Sequence, residues 1–181
     1  MPPKMMKRRD FLKFSAGTLG LLAAPGAIAK VTSSSERVLR FYNLHTGESI
    51  NATYWADGNY VPDQLTAIDR LLRDHRTNQI TTMDRELYDL LFVLQQEIGR
   101  SGTYHIISGY RSPKTNAMLN KTSSGVAKRS LHMQGKAIDI RLPGTDLKEL
   151  RQAALSLKAG GVGYYPRSNF IHVDTGRPRF W

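Results

Sequence analysis

Three residues, His132, Asp139 and His172, are of the types that bind metal ions. Neutral imidazole nitrogens and carboxylate oxygens are common zinc ligands, and three of them leave a fourth position open for water. The chain has no cysteine, so any metal must be held by nitrogen and oxygen, and disulfides and cysteine nucleophiles are excluded. These residues predict a zinc site, with histidines that make only structural hydrogen bonds as the alternative.

Asp139 lies in a predicted strand at residues 137–142. Because side chains alternate along a strand, Ala137, Asp139 and Arg141 should share one face, opposite three aliphatic residues. A carboxylate in such an apolar strand is costly to bury unless it is paired or binds a cation. Pairing with Arg141 and binding of a metal are both compatible with this pattern.

His172 lies in another predicted strand, and His132 precedes a glycine in a predicted loop. Asp174 is two residues after His172 and should point to the same face of the strand. It is either a general base or a carboxylate that orients a metal ligand. His105 and His45 are weaker candidates for the base, and His45 is better explained as a hydrogen-bonding residue of a hairpin turn.

The elements that must position these residues alternate between strands and amphipathic helices. Helical spacing of apolar residues predicts helices near 62–76, 83–98, 112–119 and 146–158, and β-rich runs fall at 37–44, 49–55, 103–108, 162–165 and 170–174. This order predicts an α+β fold with a largely antiparallel central sheet flanked by helices. Arg111 directly follows the 103–108 strand, at a strand-to-loop junction where functional groups are common.

Residues 1–29 have the pattern of an export signal. Arg8 and Arg9, followed by Asp-Phe-Leu-Lys, resemble a twin-arginine signal, and Ala27-Ile28-Ala29 resembles a signal-peptidase site. A basic amphipathic N-terminus of a nucleic-acid binder is the alternative. No later stretch reaches the roughly 18 apolar residues needed to span a bilayer. We expect export by the twin-arginine machinery and a periplasmic domain at 30–181, with no stable membrane anchor after signal removal.

The net charge of +11 indicates an anionic partner. Residues 1–29 hold five basic residues and one acidic residue, a net charge of +4, which leaves +7 for the rest of the chain. Nucleic acid, a membrane surface and an acidic cell-wall polymer would all suit this charge. A nucleic-acid binder, however, explains neither the export signal nor Asp139.

The segment S-x-H-x-x-G-x-A-x-D at residues 130–139 resembles the metal motif of the zinc D-Ala-D-Ala peptidases. Their superfamily also contains lysostaphin-type endopeptidases and the hedgehog N-terminal domain. The resemblance implies that His132, Asp139 and the later His172 bind zinc. It also implies that the segment S-G-Y-R at residues 108–111 supplies Arg111 to stabilise the oxyanion.

The resemblance extends along the whole chain, most closely to murein endopeptidases. It implies a periplasmic zinc enzyme that cuts peptide cross-links of peptidoglycan, preferably between two diaminopimelate residues. One position departs from the pattern, because Asn169 replaces the glutamate that serves as general base in the dipeptidase branch. A D-alanyl carboxypeptidase or dipeptidase of the same fold, and a non-catalytic peptidoglycan-binding module, are the alternatives.

Overall fold

An eight-stranded sheet forms the centre of the molecule in the computed structural model, which describes residues 35–123 and 126–181. The strands are β1 (Glu36–Asn43), β2 (Ser49–Ala56), β3 (Asn59–Tyr60), β4 (Thr103–Ser108), β5 (Ala137–Arg141), β6 (Gly161–Tyr165), β7 (Phe170–Asp174) and β8 (Arg179–Phe180). Their order is β3-β2-β1-β4-β5-β7-β6-β8. The β1–β4 and β6–β8 pairs are parallel and the others are antiparallel.

Four helices accompany the sheet: α1 (Pro62–Leu71), α2 (Arg85–Ile98), α3 (Pro113–Thr122) and α4 (Leu147–Ser156). Residues that favour helix ends mark the termini of these helices. Asp84 caps α2 by accepting a hydrogen bond from the backbone of Glu86, and Gly99 ends it in the left-handed conformation. The buried faces of α1, α2 and α4 join the strands in one hydrophobic core. The predicted α+β class is therefore confirmed.

Two local predictions differ from the structure. The first helix ends at Leu71 rather than near residue 76, because the following turn is organised by Asp74, whose carbonyl accepts hydrogen bonds from Thr77 and Asn78. The predicted loop around His132 is a short 3-10 helix, Leu131–Gln134. The hydroxyl of Ser130 caps this helix by accepting a hydrogen bond from the backbone N–H of His132.

The sheet register places the site. Asp139 of β5 pairs with Ser108 of β4 on one side and with His172 of β7 on the other, and His172 pairs in turn with Gly163 of β6. Paired residues share a face of the sheet, so these positions form one row across four strands. On the opposite face, Ile138 and its neighbours are fully buried in the core. Packing of these residues in the core therefore holds the four strands, and the row of site positions on them, in place.

None of the helices in the described ranges is long and apolar enough to cross a membrane. The export signal predicted at residues 1–29 lies outside the described residues.

Candidate metal centre

The structure brings His132, Asp139 and His172 together as a compact triangle. His132 Nε2 lies 3.2 Å from His172 Nδ1, and Asp139 Oδ1 lies 3.2 Å from His132 Nε2 and 2.9 Å from His172 Nδ1. All three side chains are buried. In the described ranges, this is the only group of three such residues placed to share one metal ion.

The orientation of His132 is set by a backbone carbonyl. Its Nδ1 lies 2.8 Å from the carbonyl oxygen of Gly109, which can only accept, so Nδ1 carries the proton. In the neutral ring, Nε2 then presents a lone pair to the triangle. Gly109 is needed here, because an added Cβ would lie 2.5 Å from the carbonyl oxygen of Leu72.

The orientation of His172 is set by a carboxylate. Its Nε2 lies 2.9 Å from Asp174 Oδ2, so the Nε2 proton is donated to Asp174 and Nδ1 presents its lone pair to the triangle. Asp174 is fully buried. Burial alone would raise the pKa of Asp174, but hydrogen bonds from His172, Arg179 and the backbone of Gly176 and Gly161 hold that pKa well below its usual range.

The donor set fits a metal cation. With the two histidines neutral, three lone pairs converge at about 3 Å with no proton between them, an arrangement that a cation at the centre makes favourable. Ligand atoms bound tetrahedrally to zinc at about 2.0–2.1 Å lie about 3.3–3.4 Å apart, close to the sides of this triangle. His132 Nε2, Asp139 Oδ1 and His172 Nδ1 are thus the atoms that can hold a metal.

The electrostatics of the triangle also favour positive charge. Burial alone would raise the pKa of Asp139, but His132 and His172 hold that pKa well below its usual range. Burial alone would lower the pKa of His172, but its hydrogen bonds to Asp139 and Asp174 raise it. The carboxylates therefore stabilise a cation between them, and a metal ion can supply that charge in place of a proton.

Arg111 stands beside the triangle. Its Nη2 lies 3.7 Å from Asp139 Oδ2, and its backbone N–H donates to the carbonyl oxygen of His132. The guanidinium also lies 3.4 Å from the side-chain oxygens of Asn116 and Ser108. Burial lowers the pKa of the Arg111 guanidinium, although Asp139 acts in the opposite direction. A half-buried cation is thus held next to the candidate ligands.

The triangle opens into a cleft of about 420 Å³ that contains Arg111 and, on its other walls, Tyr165, Phe170 and Trp181. Asp174 does not line this cleft. Both of its oxygens are engaged, because Arg179 donates to each of them at 2.9 and 2.7 Å. Such a carboxylate can orient His172 but cannot reach a water in the cleft.

The other candidate bases also lie outside the cleft. His45, in the β1–β2 turn, stacks on His75, which follows α1. His105 of β4 packs against Tyr42 of β1. Asn169 is exposed in the left-handed conformation between β6 and β7. Among the described residues that line the cleft, the triangle provides the only carboxylate and the only histidines.

Three residues that line the cleft were not predicted from the sequence: Tyr165, Arg179 and Trp181. Arg179 belongs to the edge strand β8, and Trp181 directly follows that strand. Strand β8 pairs with β6. For Tyr165, the alternation along β6 gave an indication. Tyr165 is two residues after Gly163 and so faces the same side of the sheet as Gly163, the residue paired with His172. No local pattern indicates that Trp181 reaches the site.

Fold, site and sequence together define an M15-type zinc metallopeptidase, an enzyme class that is metal-dependent. Within that class, the family model described as peptidoglycan L,D-endopeptidase MepK matches residues 31–181, and the chain belongs to this family. The resemblance to the zinc peptidase superfamily is thereby confirmed.

Curated relatives match over nearly their whole length. A protein of Escherichia coli K12, named peptidoglycan L,D-endopeptidase MepK, is 44% identical over 175 residues, which cover 96% of this chain and 96% of the relative. One of Haemophilus influenzae, named probable peptidoglycan L,D-endopeptidase MepK, is 43% identical over 176 residues, which cover 96% and 95%. No solved structure matches the chain significantly.

Proposed function

We propose that this chain is a zinc-dependent endopeptidase of the periplasm that hydrolyses peptide cross-links of peptidoglycan. The observation that carries the proposal is the triangle of lone pairs beside a half-buried arginine, in a chain of the MepK family. The relatives' names specify an L,D bond of peptidoglycan. The substrate that fits this description is the 3-3 cross-link, in which the L-centre carbonyl of one diaminopimelate is joined to the D-centre nitrogen of another.

His132, Asp139 and His172 hold the metal in this proposal. Two imidazoles and one carboxylate form a borderline ligand set that suits zinc, and three protein ligands leave a position for water, as in catalytic sites. Zinc bound there supplies an acidified water as nucleophile and polarises the scissile carbonyl. Asp174 is a positioning residue, because it fixes the ring nitrogen that His172 offers to the metal.

Arg111 supplies the fixed positive charge of the reaction. When water adds to the amide carbon, the carbonyl oxygen becomes an oxyanion, and the adjacent guanidinium stabilises this charge without having to leave water first. The side-chain oxygens of Ser108 and Asn116 lie near the guanidinium and help to hold its position. The collapse of the tetrahedral intermediate breaks the C–N bond, and the leaving amine takes up the proton that the attacking water gives up.

The charge of the domain suits this substrate. Arg111, Arg129 and Arg179 line the cleft, and the chain after residue 29 has a net charge of +7. Each stem peptide carries carboxylates, including those of diaminopimelate next to the scissile bond. Cationic walls raise the local concentration of such an anionic polymer and favour its binding.

Residues 1–29 act as a twin-arginine signal in this proposal, and the catalytic domain is 30–181. The family match begins at residue 31, just after the predicted cleavage site. The twin-arginine machinery exports folded proteins, so this route would allow the metal to be bound before export.

The proposal is tested by digestion of purified muropeptide dimers of defined linkage, followed by mass spectrometry. We expect 3-3 dimers to be converted to monomers, a chelator to stop the reaction and zinc to restore it. Release of only a terminal D-alanine would indicate a carboxypeptidase instead. Bound zinc without any cleaved product would indicate a binding module, and either result would overturn the proposal.

A further inference from the structure

The hydroxyl of Tyr165 is held at the edge of the cleft by two aromatic contacts. Tyr165 ends β6, pairs with Phe170 of β7, and stacks its ring on that of Phe170 at a centroid distance of 4.6 Å and an angle of 18°. Trp181 Nε1 lies 2.8 Å from the Tyr165 hydroxyl oxygen. The phenol is therefore fixed in both position and orientation.

The direction of this hydrogen bond leaves one proton free. An indole N–H can only donate, so the Tyr165 oxygen is the acceptor and its own O–H remains available. Within the described ranges, the Tyr165 hydroxyl donates to no protein acceptor. The residue lines the cleft, so its O–H is available to a bound substrate.

Tyr165 lies in the same cleft as the candidate metal centre and Arg111. Trp181 joins them, because its indole contacts the ring of His172 at a centroid distance of 5.3 Å while it holds Tyr165. Arg111 follows β4 and Tyr165 ends β6, so they approach from opposite sides of the β5–β7 pair that carries Asp139 and His172. Both residues line the same cleft.

Tyr165 also differs chemically from the rest of the cleft. Apart from the candidate ligands, the arginines and the serine hydroxyls, the only other described lining side chain with an N–H or O–H is Trp181, whose indole N–H is already donated to Tyr165. A phenol is a stronger hydrogen-bond donor than an aliphatic hydroxyl because it is more acidic. It is therefore suited to a site where negative charge develops.

We propose that Tyr165 is a catalytic residue, whose hydroxyl donates a hydrogen bond to the scissile carbonyl oxygen as that oxygen becomes an oxyanion. The inference rests on the proposed peptidase function and adds a second donor to the one that Arg111 provides. No bond to Tyr165 forms, and its proton remains on the phenol throughout. Trp181 is the positioning residue that leaves the phenol proton free for the substrate.

The test compares Tyr165→Phe with the matched variant Tyr164→Phe. The first change removes the hydroxyl and keeps the ring on Phe170. The second makes the same chemical change on the neighbouring residue, which has the opposite strand parity and lies against Arg151. Steady-state kinetics on the 3-3 dimer, zinc affinity and thermal unfolding are measured for both variants and the parent.

We expect Tyr165→Phe to lower kcat by about 10²-fold, as loss of one oxyanion donor does, with KM changed by less than about twofold. Zinc affinity and unfolding should stay at parent values, and Tyr164→Phe should behave as the parent. Affinity for a phosphinate isostere of the scissile bond, which carries charge at the oxyanion position, should fall by about the same factor as kcat/KM.

Three results would overturn the inference. In an active parent, kcat of Tyr165→Phe within about threefold of the parent would exclude the hydrogen bond to the transition state. A raised KM with unchanged kcat would show that Tyr165 only binds substrate. A parent that cleaves no muropeptide would overturn the proposed function, and this inference with it.

Discussion

Gly163 lies directly opposite His172 in the β6–β7 pair, and the indole of Trp181 occupies the space that a side chain at position 163 would fill. A Cβ built on Gly163 would lie 2.7 Å from Trp181 Cε2, closer than carbon atoms approach one another without strain. The glycine therefore allows the residue after β8 to form a wall of the cleft beside a candidate ligand.

This relationship predicts the effect of Gly163→Ala. The added methyl group should displace the half-exposed indole and break its hydrogen bond to Tyr165. Fluorescence of Trp181, measured in a Trp55→Phe background, should shift to the red, and kcat should fall. Gly102→Ala is the control for overpacking away from Trp181, because its Cβ would lie 2.9 Å from the buried side chain of Leu142. Unchanged fluorescence and kcat would contradict the assigned packing.

Asp174→Asn should weaken metal binding while leaving all three candidate ligands in place. The amide cannot reproduce the buried carboxylate that accepts the His172 proton, and loss of such a partner typically costs 10–100-fold in metal affinity. Competition with a chromophoric chelator measures the zinc dissociation constant. Asp146→Asn serves as control, since asparagine caps a helix as well as aspartate. Parent-like zinc affinity would show that Asp174 does not position His172.

Arg111→Gln should separate catalysis from metal binding. Loss of the guanidinium should lower kcat by about 10²–10³-fold, because one donor to the oxyanion is removed, while zinc content remains at one per chain. Arg167→Gln, an exposed change in the 3-10 turn after β6, is the matched control. If Arg111→Gln lost zinc together with activity, Arg111 would be a structural partner of Asp139 rather than a catalytic residue.

Asp74 should give the fold a stability that depends on pH. Burial alone would raise the pKa of Asp74, but hydrogen bonds from Ser112, Thr115 and the backbone of Arg76 hold it well below its usual range. A group whose pKa is lower in the folded state stabilises the fold above its unfolded pKa of about 3.9, and this contribution disappears as the pH falls through the folded value. Asp74 accepts from the backbone N–H of Ser112 and so anchors the loop that carries Arg111.

Asp74→Asn should therefore lower the free energy of unfolding by about 1.5–3 kcal/mol near pH 7. The difference from the parent should shrink below about pH 4. Urea unfolding at a series of pH values measures it. Asp57→Asn is the control, because Asp57 lies in an exposed turn with φ of 51° that asparagine tolerates. A difference that stays constant down to pH 2 would contradict the role of an ionised Asp74.

The sequence predicted the parts of the site that depend on local pattern. Alternation along β5 correctly assigned Ile138 to the core and Asp139 to the opposite face, because period 2 is a local property of a strand. The α+β class followed in the same way from the order of strands and helices. The residue types and the family motif both indicated His132, Asp139 and His172 as metal ligands, and this role is a proposal.

What could not be predicted depends on pairing between distant segments. The contact of Asp139 with His172 requires β5 to pair with β7 rather than with β6, and no local pattern specifies this register. The bidentate pair of Arg179 with Asp174 likewise depends on β8 pairing with β6. The family pattern indicated that Asn169 replaces the glutamate of the dipeptidase branch and cannot act as the general base. In the structure, Asn169 does not line the cleft.

Zinc titration of the metal-free protein shows whether one zinc ion, bound by His132, Asp139 and His172, is required for cleavage. Cleavage of a purified 3-3 dimer is followed at each addition of zinc. We expect activity to rise in proportion to added zinc and to reach a plateau at one equivalent. We expect His132→Ala to remain inactive at every addition while keeping its fold. Full activity of the metal-free protein, or of His132→Ala, would contradict this requirement for zinc.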